Sequence, residues 1–264
     1  MVSSSLSLFL LLSLRLTKPS AGFGISNHNF QIKAMDKGRI SQELVSPSRS
    51  SSVRLLATPP PFPDVERPDP STLVAAQSDS LQRAVAVAIG TGLLFTTSSI
   101  VSLLSWLGND ILPFGFLETV LDFTVPIPLG LIYILLGATH FLYRDGYAAI
   151  VPPNGSWGGL WNIPAPGADS LKLSNEEYHV LWTGVAEIGG GTLFVLGGLN
   201  ALPVQIPAFL LFLLTLAITP ANVYMFTHDA EMSFAPPTEY PLGHLSRGII
   251  QCVLLAILWT VAFQ

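Results

Sequence analysis

Beyond about residue 80, long apolar runs alternate with short polar connectors. Five runs stand out: residues 81–107, 126–143, 177–199, 206–226 and 245–263. A helix needs about 17–25 mostly apolar residues to cross a hydrocarbon core, so each run predicts a spanning helix. Local signals mark several ends. Pro126 and Pro128 suit the first turn of the second helix, and Arg144-Asp145-Gly146 stops it. Ser174-Asn175-Glu176-Glu177 is a capping box that opens the third. Pro203 and Pro207 lead into the fourth, and Pro220 is expected to interrupt or kink it near its end. Residues 114–123 are apolar but carry Glu118 and Asp122, which suggests an interfacial or re-entrant piece. Trp157 and Trp161 lie in a Gly/Pro-rich loop, where anchoring at the headgroup level is the expected role.

The first 57 residues read differently. Arg15, Lys18, Lys33, Lys37, Arg39, Arg49 and Arg54 stand against only Asp36 and Glu43, and serine is dense. A basic, serine-rich, acid-poor leader is the composition of a transit peptide, with chloroplast the preferred destination. The apolar stretch 6–14 resembles the core of a secretory signal, but Arg15 follows it instead of a charge preceding it. Secretory and mitochondrial addresses are the alternatives. Residues 58–80 form a proline-rich linker whose prolines oppose helix propagation.

Composition supports the membrane reading. Of 264 residues, 50 % are hydrophobic and 11 % charged, against about 25 % charged in soluble domains. Mean hydropathy is +0.54. The net charge of −5 and the scarcity of basic residues argue against nucleic acid as a partner. Membrane lipid is the partner the composition implies. Cys252 is the sole cysteine, which excludes an intramolecular disulfide and a thiolate metal cluster. There is no dinucleotide fingerprint, phosphate-binding loop or His-Glu-x-x-His site. His140 and His228 sit on separate helices, and nothing in their spacing requires a metal or haem.

Beyond residue 57 the Lys and Arg residues are Arg67, Arg83, Arg144, Lys172 and Arg247. With five spans, all fall on the side of the mature N terminus. In a plastid membrane that side would be the stroma. The same alternation puts His140, His228, Arg247 and Gln251 toward the basic face, with Asn222 near it and Glu187 deeper. A carboxylate inside a bilayer is costly unless paired, protonated or turned to a polar interior. Gly184, Gly191 and Gly198 repeat every seven residues as a helix-packing stripe, and Glu187 lies on the same face. His140, Glu187, Asn222, His228, Arg247 and Gln251 together form the candidate polar pocket.

These residues carry a resemblance. GATHFLYRDGYAAIVPP at 137–153, LWTGVAEIGGG at 181–191, ITPANVYMFTHD at 218–229 and HLSRGIIQCVLLAILW at 244–259 resemble the DoxX-like family of small four-helix membrane proteins. The matched motifs are Gly137-x-x-His140-Phe141, Gly184-Val185-x-Glu187, Pro220-Ala221-Asn222 and Arg247-x-x-x-Gln251. The resemblance covers residues 130–259. It implies an all-α transmembrane bundle: a four-helix DoxX-like domain over 114–264, with one extra N-terminal spanning helix at 81–107. It also implies an accessory subunit of a redox or quinone-related membrane system, with a quinone as the ligand and a membrane redox protein as the partner. The competing expectation is a non-catalytic scaffold or small-solute carrier.

Overall fold

The computed structural model describes residues 65–263. The expected transit peptide, residues 1–57, and the first part of the linker lie outside them. The described residues form helices joined by turns, with no strand among them. Among the described residues five helices are long and apolar enough to cross a bilayer, the architecture of a multi-pass membrane protein. Their α-helical parts are α1 (Asp79–Trp106), α2 (Pro126–Leu142), α3 (Asn175–Gly198), α4 (Gln205–His228) and α5 (Leu242–Phe263), the first two within the longer spans Asp79–Ile111 and Phe116–Leu142.

Contacts at each end fix an alternating arrangement. At one end Arg67, ahead of α1, pairs with Asp229 and Glu231 beyond α4. Tyr143, at the end of α2, stacks on Phe234 of the α4–α5 loop. Gly158 of the α2–α3 loop abuts Asp79 at the start of α1. At the other end Pro126 meets Gly198, and Phe209 meets Phe263. All five described Lys and Arg residues therefore belong to the first end, and the second has Asp110, Glu118 and Asp122.

The tightest helix pair is α2 against α3, and glycines make it so. A Cβ on Gly191 would sit 2.6 Å from the Gly130 carbonyl oxygen, and one on Gly137 would sit 2.7 Å from that of Gly184. Gly198 continues the seam against Pro126 and Ile127. Backbones this close gain dispersion contacts that lipid would otherwise supply. α1 is peripheral: 6 % of its most apolar stretch is buried, against 39 % for α3, α4 and α5. It packs mainly on α5.

Three local expectations change. Residues 114–123 do not re-enter: Phe116–Leu142 is one candidate span that includes a π-helical turn at Val120–Thr124. Pro220 does not interrupt α4, which continues through it to His228. Trp157 is not a headgroup anchor, being only 3 % exposed. It packs with Ala86 and Val223, and its indole N–H donates to Thr227 Oγ1 at 2.9 Å. Its left-handed φ of 53° costs about 1–3 kcal/mol. Burying an indole returns roughly 4 kcal/mol or more, so the strained backbone is retained. The last part of the expected linker folds into two short 3-10 turns, Pro70–Thr72 and Val74–Ala76. The Asp69 carboxylate caps the first and is held below its usual range by hydrogen bonds from the Ser71 N–H and hydroxyl.

Candidate functional site

The close approach of α2 and α3 brings two chemically matched side chains together. A Cβ on Gly137 would lie 2.9 Å from Glu187 Cβ, and one on Gly184 would lie 2.8 Å from His140 Cβ. The glycine seam thus sets His140 against Glu187, with His140 Nε2 3.7 Å from Glu187 Oε2. Glu187 is 4 % exposed and His140 6 %. Glu187 Oε2 has no hydrogen-bond partner.

Hydrogen bonding decides what this pair can hold. His140 Nδ1 lies 3.1 Å from the Val180 carbonyl oxygen, which can only accept. Nδ1 therefore carries a proton, and Nε2 of a neutral ring faces Glu187 as an acceptor. Two facing acceptors repel unless a proton lies on one of them. At 3.7 Å the two atoms are not hydrogen-bonded to each other, so each is left open to a ligand's donor or, if one of them is protonated, to a ligand's acceptor.

His140 and Glu187 line a cavity of about 430 Å³. Its walls are mostly apolar, with Leu136, Ile150 and Leu216 among them. Tyr147, in the short helix Arg144–Ala148, closes one side and meets the His140 ring edge-on at 3.9 Å between centroids. The Tyr147 hydroxyl donates to Thr139 Oγ1 at 2.7 Å, since the Thr139 hydroxyl itself donates to the Leu136 carbonyl. Burial holds the Tyr147 phenol above its usual range, so it stays a donor. Trp161, Trp182 and His179 also line it.

The six candidate pocket residues do not share one chamber. His140, Glu187, Asn222 and Arg247 line the first cavity. A second cavity, between α1, α4 and α5, has Gln251 in its wall and shares Asn222 and Arg247. Asn222 Nδ2 donates to Gln251 Oε1 at 2.9 Å, and Gln251 Nε2 in turn donates to Thr219 Oγ1. This chain brackets Pro220, whose ring nitrogen has no proton for the helix ladder. Arg247 Nη1 lies 3.2 Å from Met225 Sδ, a weak acceptor. His228 lines neither cavity: it stacks on Tyr224 at 4.1 Å, with Nδ1 2.8 Å from Thr227 Oγ1. It is thus separated from the His140 chamber.

Sequence reasoning missed Tyr147, His179, Thr183, Trp161 and Trp182 as cavity residues. A signal existed for two of them: His179, Thr183 and Glu187 recur every four residues, one face of α3. Trp161 and Tyr147 reach the cavity only through the fold of the α2–α3 loop, and Trp182 comes from the first turns of α3. Among the described residues, no group of three or more His, Cys, Asp or Glu could hold a metal ion. Comparisons with known protein families, with curated proteins and with solved structures return no match.

Proposed function

We propose that this protein binds a lipid-soluble quinone-class molecule in the His140–Glu187 cavity, as an accessory subunit of a redox or quinone-related membrane system. One observation carries the reading. A buried carboxylate oxygen without a hydrogen-bond partner lines a largely apolar cavity, with an imidazole nitrogen 3.7 Å away. A ligand with an apolar body and a ring hydroxyl or carbonyl fits that contrast. The hydroxyl would donate to Glu187, or the protonated pair would donate to the carbonyl. Arg247 supplies positive potential at the same wall. Electrons would pass to or from a partner redox protein; this chain's residues hold the ring and one proton.

The same reading places the chain with the DoxX-like proteins, α2 to α5 forming the four-helix core and α1 an addition. The four motif groups fall one on each of these helices. The leader would direct it to a chloroplast membrane with the basic end in the stroma. The test is purification of the full chain from detergent-solubilised membranes, with extraction of bound lipids and identification of retained proteins. Prenyl-quinone and a redox protein are expected. A chain that runs alone, without either, ends the subunit reading. The scaffold alternative draws on the glycine seam and the Asn222–Gln251–Thr219 chain, which would specify one bundle without any ligand.

A further inference from the structure

The second cavity, of about 460 Å³, carries a different chemistry. At its basic end sit His244 and Arg247, in the first two turns of α5. His244 is 9 % exposed, and neither ring nitrogen has a hydrogen-bond partner. Its ring packs edge-on against Phe226 and Tyr240, each 5.7 Å away, which stack on one another. Among the described residues no carboxylate pairs with Arg247. The nearby acids Asp229 and Glu231 are taken up by Arg67. The rest of the lining is mostly apolar, with Ile89 and Leu93 from α1 and Ile249 from α5, interrupted by Thr96, Asn222 and Gln251. Two glycines keep this slot open. A Cβ on Gly92 would meet nothing within 4 Å, and one on Gly248 only Leu93 Cδ2 at 3.9 Å.

We propose that this slot is a binding site for an anionic membrane phospholipid whose headgroup carries a hydroxyl, as phosphatidylglycerol does. The phosphate accepts hydrogen bonds from the Arg247 guanidinium and from one His244 nitrogen. The headgroup hydroxyl donates to the other His244 nitrogen, so both orphaned ring atoms are satisfied. An acyl chain runs along the slot past Gly92 and Gly248. The placement agrees with depth: His244 and Arg247 lie toward the start of α5, where headgroups sit, and mostly apolar walls run inward. Because α1 forms one wall, the first span exists in part to complete a lipid site on the bundle. Arg247 lines both cavities, so the two sites share one guanidinium, but the test below reads retained phospholipid and not quinone.

The test uses the full chain in two arms. The wild-type protein is reconstituted from detergent into phosphatidylcholine vesicles with or without phosphatidylglycerol, re-extracted, and its retained lipid counted by native mass spectrometry. Selective retention of phosphatidylglycerol is expected, and equal retention of the two lipids overturns the site. In the same arm, thermal stabilisation by inorganic phosphate alone, equal to that given by phosphatidylglycerol, would make the ligand a soluble anion and overturn the lipid assignment. The second arm compares His244→Phe, which keeps the ring packing, with Gly248→Leu, which fills the slot. Each should retain roughly tenfold less phosphatidylglycerol, the effect of losing one hydrogen bond to a charged group or its equivalent. Folded variants that retain as much as wild type overturn it. If a variant fails to fold, the wild-type arm still decides.

Discussion

The carbonyl oxygen of Gly130 lies 2.6 Å from where a Cβ of Gly191 would be, so residue 191 has no room for even a methyl group. Gly191→Ala should therefore force α2 and α3 apart and cost about 1–3 kcal/mol, read as a lower thermal midpoint in detergent. Gly189→Ala is the control on the same helix. Nothing lies within 4 Å of its added Cβ, and alanine favours helix by about 1 kcal/mol, so stability should hold or rise. Glu187 separates structure from chemistry. Glu187→Gln keeps a hydrogen-bonding side chain but cannot take up a proton; Glu187→Leu loses both. A purely structural role survives the first change and fails with the second. The site reading expects both variants to assemble while both lose retained prenyl-quinone, measured after extraction of the purified protein. A Glu187→Gln variant that retains wild-type quinone contradicts the need for the carboxylate.

Elements were legible where local signals and hydropathy agree. The capping box is present at α3: Ser174 Oγ accepts from the Glu177 N–H at 3.1 Å, and Glu177 Oε2 accepts from the Ser174 N–H at 2.9 Å. Glu177 also pairs with Arg144 at 3.0 Å, tying the start of α3 to the end of α2. Ser174→Ala should cost about 1 kcal/mol and speed hydrogen exchange in the first turn of α3, with little change deeper in the helix. Elements were misread where distant residues decide. The helix passes through Pro220 in a region where Thr219 and Gln251 supply a polar contact across 32 residues of sequence. Trp157 is buried because Thr227 offers an acceptor that no local pattern reveals. The Gly184–Gly191–Gly198 stripe was visible on one helix, but its partners Gly130 and Gly137 show their meaning only once α2 and α3 pair.

At the scale of the molecule, the alternation of five spans puts every described Lys and Arg at one end. That arrangement was legible because it needs only span count and charge position. The division of the polar residues between two cavities was not, because it depends on how the helices are rotated and on where the α2–α3 loop folds. The alternation predicts a labelling pattern. In a Cys252→Ser background, single cysteines at Asp145, Lys172 and Ser233 should react with an impermeant thiol reagent from one face of sealed vesicles. Cysteines at Asp110 and Asn200 should react from the other face. Any mixing of the two sets would contradict the topology.

The central claim, that the His140–Glu187 cavity binds a quinone-class ring, has a direct optical test. Trp161 and Trp182 line that cavity, so a quinone bound there should quench their fluorescence. The purified full chain would be titrated in detergent with a short-chain benzoquinone. The account predicts saturable quenching in the wild-type protein and roughly tenfold weaker binding in Glu187→Leu, the effect of removing one strong hydrogen bond. Quenching that rises linearly without saturation, and equally in both proteins, would contradict it.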